Sequence, residues 1–249
     1  MKSIKIGPLV LGDRVPKICI SNTVRSEEEI LDQAEKIKNS PASMMEWRVD
    51  CFESVYSEKV IFDILGKIKE KTEDLPILFT FRSSTEGGQR MIDDEEYFAL
   101  NQTAVHSGMV QMLDVEYNRG KEILSKLSES CEESHVICLA SYHDFIRTPD
   151  EKKMLDIADS MLHNGADICK LAVMPQTDKD VLKLLSVSEI LGNEIGVPHV
   201  AISMGEKGMI SRIYAGKTGS VITFAALDHV SAPGQIEAGE MKKILQILY

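Results

Sequence analysis

The sequence predicts an α/β fold, a closed (β/α)8 barrel of the TIM type, as one domain over residues 1–249. Three observations carry this. Eight short apolar runs alternate with longer amphipathic stretches from end to end. The runs are apolar on both faces, as expected for strands covered on both sides. No linker, repeat or low-complexity segment separates the units. Strands joined by helical crossovers pair in parallel, because each crossover returns the chain to the same end. Eight such units suffice to close a barrel. An open doubly wound sheet is the competing architecture, but its GxGxxG fingerprint is missing after the first run.

The elements follow in order. The opening IKIGPLVLG reads as a small hairpin ahead of the barrel. The runs are KICIS (17–21), MMEWRVD (44–50), PILFTFR (76–82), VQMLDVE (110–116), HVICLASYH (135–143), DICKLAV (167–173), PHVAISM (198–204) and SVITFAAL (220–227). The helical stretches between them carry start and stop signals. Ser26-Glu27-Glu28-Glu29 predicts a capping box. Thr148-Pro149-Asp150-Glu151 predicts a start with Pro in the first helical position. His163-Asn164-Gly165 predicts a helix end.

Composition narrows the function classes. With 43% hydrophobic and 27% charged residues, the chain is an ordinary globular one. A net charge of −11 argues against nucleic acid or an anionic membrane as partner. It leaves room for a small anion held by a few buried arginines. The five cysteines form no CxxC pair and are odd in number, so they read as reduced core residues of a cytoplasmic protein. The opening segment is broken by Pro8, Gly12 and Asp13, unlike a secretory signal. No apolar run approaches the roughly 18 residues of a membrane helix.

Parallel barrels carry their chemistry at the carboxyl ends of the strands. Glu46, Arg48 and Asp50 alternate along the second run and are expected to point together into the lumen. The third run ends at Arg82, followed by Glu86-Gly87-Gly88. The fourth places Met112, Asp114 and Glu116 on one face. Arg82 can bind a hydroxyl or carboxylate through its planar fork, or these groups can simply satisfy one another.

Lys170 lies mid-strand among apolar neighbours. Two readings stand open. A buried, uncharged amine can attack a carbonyl and form a Schiff base. Alternatively, the lysine pairs with a lumen carboxylate such as Asp114 or Glu46. His143 ends the preceding strand, about 4.8 Å away in a parallel pair, where an imidazole could move the protons of imine chemistry. The alternative is a strand-end histidine bonded to a loop carbonyl. The remaining histidines show no metal-ligand spacing. Past the seventh run, Gly205 and Gly208 can open a helix N-terminus to an anion, and Arg212 would add a fork for a carboxylate. The segment 228–235 has the small residues of a lid, with Ser231 and Gln235 as neutral hydrogen-bond donors.

Taken together, the segments EWRVD (46–50), TFRS (80–83), EGG (86–88), DVE (114–116), SYHDF (141–145), KLAVMP (170–175), SMGEKGMISR (203–212) and ITFAALDHVSAPGQI (222–236) resemble the type I 3-dehydroquinate dehydratases. The resemblance implies a barrel lyase, usually a homodimer, with no metal or organic cofactor. It implies dehydration of 3-dehydroquinate to 3-dehydroshikimate, in the shikimate pathway to chorismate and the aromatic amino acids. Lys170 would form the imine. His143 would be the general acid/base, oriented by Glu86. Arg212 would clamp the substrate carboxylate. Glu46, Arg48 and Arg82 would hold ring hydroxyls, and Ser231 and Gln235 would close over the site. Asp114 and Met204 would be supporting wall residues. Two other readings fit the same residues: a class I aldolase on this barrel, and a non-catalytic metabolite-binding module.

Overall fold

A computed structural model describes residues 2–227 and 234–249. The chain opens with an antiparallel hairpin, β1 (Ile4–Ile6) and β2 (Leu9–Leu11). Its turn uses Gly7 at φ +56°, a left-handed conformation that suits glycine. Eight parallel strands follow: β3 (Lys17–Asn22), β4 (Met44–Arg48), β5 (Ile77–Thr80), β6 (Met112–Glu116), β7 (Ile137–Asp144), β8 (Ile168–Val173), β9 (His199–Ser203) and β10 (Ile222–Ala225). Each coincides with one predicted run.

Neighbouring strands pair in sequence order from β3 to β9, and β10 pairs back onto β3. The remaining seam, between β9 and β10, is joined by a bridge of His199 with Ser220 and by the Val221 amide donating to the His199 carbonyl at 2.8 Å. The cylinder is therefore closed, most thinly at that seam.

The helices are α1 (Glu27–Lys38), α2 (Glu58–Thr72), α3 (Asp94–His106), α4 (Lys121–Glu133), α5 (Glu151–His163), α6 (Asp178–Glu189), α7 (Ile210–Ile213) and α8 (Ala238–Leu248). The capping box at Ser26 is present: its hydroxyl accepts from the Glu29 amide while the Glu29 carboxylate accepts from the Ser26 amide. Helix α5 ends as expected at His163, with Gly165 at φ +93°. Its start differs from the expectation. Asp150 is the N-cap and accepts from the Lys153 amide, so Pro149 lies one residue outside the helix. The aspartate satisfies an orphan amide that proline could only have tolerated.

Two apolar clusters follow from strand alternation. Outward strand faces pack under the helices, with Trp47 edge-on to Phe79 at 5.7 Å between ring centres. Inward faces form a separate cluster that includes Met44, Leu78, Met112, Leu139, Ile168, Val200 and Ile222. Ile4, Ile6 and Leu11 of the hairpin belong to this inner cluster. The hairpin thus plugs the amino-terminal end of the barrel and leaves the carboxyl end to the chemistry.

Candidate active site

One step along the strands from this apolar floor, the lumen turns polar. The inward positions are Ser21 on β3, Glu46 on β4, Thr80 on β5, Asp114 on β6, Ser141 on β7 and Lys170 on β8. Register sets this layer: Ser21 pairs with Glu46, Thr80 with Asp114, and Ser141 with Lys170. Lys170 is 5% exposed. Its Nζ lies 3.2 Å from Asp114 Oδ2, 4.0 Å from Glu46 Oε1, and 4.6 Å from the centre of the Phe224 ring. The lysine is thus paired with both carboxylates the sequence offered, and it also lines a cavity of about 180 Å³ at the barrel mouth.

Both carboxylates are held from behind. Glu46 accepts from the Ser21 and Thr80 hydroxyls. Asp114 accepts from Ser141 Oγ at 2.6 Å and from Arg82 Nη2 at 2.7 Å. Burial alone would raise the Asp114 carboxyl, but Arg82 and Lys170 beside it bring it down to about 2. Asp114 is therefore a fixed anion under the lysine.

His143 stands above this layer on β7. Its Nδ1 lies 2.8 Å from Glu86 Oε2, and its ring is stacked on Phe145 with centres 6.3 Å apart. Burial, helped by Arg82, Lys170 and Arg48, pushes the imidazole well below its usual range, so it is neutral at pH 7. Burial pushes Glu86 the other way, up to about 7, against the pull of Arg82. A neutral imidazole donating Nδ1–H to a carboxylate leaves Nε2 free to accept a proton.

Gly87, beside Glu86, has φ +82°, and a Cβ there would lie 2.4 Å from Phe145 Cζ. A side chain at 87 would push the Phe145 ring off His143.

The predicted site residues converge. Lys170, His143, Glu86, Glu46, Arg48, Arg82, Arg212 and Gln235 all line this one cavity. Ser231 lies outside the described residues. Asp50 is the exception to the strand reading. Strand β4 ends at Arg48 and the chain turns into a 3-10 segment, Val49–Cys51. From there Asp50 holds Arg48 through a two-pronged pair at 2.8 and 3.0 Å, and takes the Arg82 and Gln89 amides. It positions Arg48 and does not line the cavity. The Arg82 fork is already engaged by Asp114, Ser141 and Glu116.

Arg212 is 2% exposed and donates to the Phe224 carbonyl at 3.4 Å. Burial pushes its pKa down to about 10, which still leaves it charged at neutral pH. The helix that carries it, α7, has four residues, too few for the anion-binding helix N-terminus expected after Gly205 and Gly208. Gly208 serves packing instead: a Cβ there would lie 2.1 Å from the Ser203 carbonyl oxygen.

The sequence reading missed Ser21, Phe145, Phe224 and Asn118. Ser21 and Phe224 were reachable by the alternation that grouped Glu46 with Arg48. Nothing in the local sequence marks Asn118, which lies in a turn beyond β6 and donates to Glu86 Oε1 at 2.8 Å.

Fold and site together define a barrel enzyme with a lysine in its lumen and an imidazole–carboxylate pair at its mouth. The comparisons with known proteins make the class specific. The profile of the type I 3-dehydroquinase family matches residues 18–249, and the chain belongs to that family. A 3-dehydroquinate dehydratase of Clostridioides difficile (strain 630) is 34% identical over the whole of this chain and 98% of its own. One from Salmonella agona is 36% identical over the whole of this chain and 99% of its own. A crystal structure of the type I enzyme from Clostridium difficile, with covalent modified comenic acid, superposes with a TM-score of 0.96 over 99% of this chain and 98% of that one, at 34% identity. The 3-dehydroquinate dehydratase of Geobacillus kaustophilus gives 0.96 at 31% identity, over 99% of this chain and 96% of that one.

Proposed function

We propose that this protein dehydrates 3-dehydroquinate to 3-dehydroshikimate, in the shikimate pathway, through an imine on Lys170. The observation that carries the reading is the lumen amine held between Asp114 and Glu46 beneath a neutral, carboxylate-bound imidazole.

The chemistry follows from charge. The lysine ammonium first gives up a proton, its free amine adds to the substrate ketone, and the ketone oxygen then leaves as water carrying two of the three ammonium protons. The product is a protonated imine, so one positive charge stands at the nitrogen before and after. Asp114 and Glu46 therefore neutralise the reactant and the iminium alike. The iminium withdraws electrons from the adjacent carbon. His143 Nε2 takes the α-proton, and the C–H electron pair flows toward nitrogen to give an enamine. That pair then returns and expels the β-hydroxyl, which takes the proton from His143 and leaves as water. A second water hydrolyses the conjugated imine and restores the amine. Such acid/base assistance contributes about 10²–10⁴-fold.

In this reading Arg212, which lines the cavity, binds the substrate carboxylate. Arg48, held by Asp50, and Glu46 face the same cavity, where ring hydroxyls would lie; Arg82, Ser231 and Gln235 complete the reading of the binding set. A homodimer in the cytoplasm also belongs to this reading. The five buried, unbridged cysteines support a reducing compartment, and analytical ultracentrifugation reads the oligomeric state.

The direct test follows ultraviolet absorbance on mixing the protein with 3-dehydroquinate. A rising conjugated-enone band is expected. A flat trace from folded protein would reject the dehydratase, and a retro-aldol product would transfer the site to C–C cleavage.

A further inference from the structure

At the mouth of the barrel, Glu86 has a second partner, Asn118, to which the reaction above gives no role. Glu86 is 3% exposed, and its two oxygens have different partners. Oε2 meets His143 Nδ1 at 2.8 Å, and Oε1 accepts from Asn118 Nδ2 at 2.8 Å. The three residues come from the ends of three successive strands, β5, β6 and β7. They form a line from the rim of the barrel to the imidazole.

We propose that Asn118 is a positioning residue that acts through Glu86, keeping that side chain ionised and so fixing which ring nitrogen of His143 carries the proton.

The two states of Glu86 have opposite consequences for the ring. An ionised Glu86 accepts Nδ1–H, and Nε2 is then bare and can take the α-proton. A protonated Glu86 donates to Nδ1, which forces the neutral ring to carry its hydrogen on Nε2, where it cannot act as a base. The surroundings leave this choice finely balanced. Burial favours the protonated acid, and Glu116 and Asp114 on β6 add repulsion. Arg82, with Nη1 3.6 Å from Oε2, favours the anion.

The imidazole itself faces the cations Arg82, Lys170 and Arg48, which oppose a second proton on the ring. On the outer side, Asp94 and Arg119 line the recess behind Glu86, but they are engaged with each other at 2.9 Å, and Arg119 also with Glu116 at 3.2 Å. Among the described residues, the Asn118 amide is then the hydrogen-bond donor to Oε1. A hydrogen bond to a carboxylate is roughly twice as strong as one to the neutral acid, so this contact weighs toward the anion.

The role in catalysis rests on the reading of His143 as the base; the effect on the imidazole does not. Two measurements on the same variants separate the failures. The first is the pH profile of kcat for wild type, Asn118→Asp and Asn118→Leu with 3-dehydroquinate. Asn118→Asp sets a second carboxylate against Oε1 and should move the acid limb upward. A shift of about one unit lowers kcat about tenfold below neutral pH, with KM little changed and turnover recovering in base. Asn118→Leu should move it the same way by less. The second is the ¹⁵N spectrum of the histidine rings without substrate. As pH rises, wild type should pass to the Nδ1-protonated form of His143 first, and Asn118→Asp should hold the Nε2-protonated form to higher pH.

Folded variants that titrate as wild type in both measurements would overturn the proposal. So would a uniform loss of activity at every pH with an unmoved ring signal, the mark of a merely structural contact. If the ring signal moves in a protein that turns over no 3-dehydroquinate, the positioning role stands and the dehydratase reading falls.

Discussion

The two halves of the barrel lumen are built by the same eight strands and do opposite things. The amino-terminal half is an apolar floor sealed by the β1–β2 hairpin and built of aliphatic and sulfur-bearing side chains with Phe224 at its edge. The carboxyl-terminal half, a residue or two further along each strand, buries Glu46, Arg82, Glu86, Asp114, Glu116, Lys170 and Arg212. Buried charges are costly unless paired and hydrogen-bonded, and these are answered by their neighbours. The floor supplies the stability, and the mouth holds charges in place for a reaction. Substitutions in the two halves should therefore separate activity from stability.

The largest effect is expected at the mouth. His143→Ala should lower kcat by about 10²–10⁴-fold, while imine formation persists and melting temperature changes little. Near-normal turnover in that variant would remove His143 from the proton transfers. In the floor, Leu78 is fully buried between β4 and β6. Leu78→Ala should cost about 2–5 kcal/mol of stability, read by chemical denaturation, with turnover of the folded protein retained. A kinetic defect of the same size as the stability defect would dissolve the division.

The comparison sharpens in two buried histidines. His143 bonds a carboxylate, whereas His199, at the β9–β10 seam, bonds the Ser188 hydroxyl at 2.8 Å and the Val197 carbonyl at 3.0 Å. Burial among neutral partners pushes His199 down to about 4. A histidine depressed by folding contributes stability that is fully present above its unfolded value of about 6.5 and is lost as pH falls through its folded value. Here the loss should run from about pH 6.5 to about pH 4 and reach roughly 3 kcal/mol. His199→Gln should flatten that part of the stability–pH curve; an unchanged slope would assign the acid sensitivity elsewhere. The smallest effect is expected at Arg212. Removing a charge-assisted pair costs about 1.5–3 kcal/mol, so Arg212→Ala should raise KM about 10- to 100-fold with kcat largely kept. An unaltered KM would contradict the clamp.

Much of this was legible in the sequence because strands obey a period of two. Once eight runs were placed, alternation grouped Glu46 with Arg48 and aligned Asp114 on one face of its run, the apolar surroundings marked Lys170, and the strand end marked His143; all but Asp114 line the cavity itself. The reasoning failed where the period stops. Asp50 continues the pattern of Glu46 and Arg48 on paper, but the strand ends at Arg48 and the turn sends Asp50 behind the arginine. Asn118 was invisible for the same reason, since a turn conformation brings it to Glu86 across 32 residues. The start expected at Pro149 falls instead after Asp150, whose side chain takes the Lys153 amide. The pairing of Lys170 was a matter of distances, which no periodicity contains.

The covalent step is tested most directly by mass spectrometry of the protein reduced with borohydride during turnover of 3-dehydroquinate. One adduct per chain, mapped to Lys170, is the predicted result. An unmodified chain under those conditions, or an adduct on another lysine, would contradict the account.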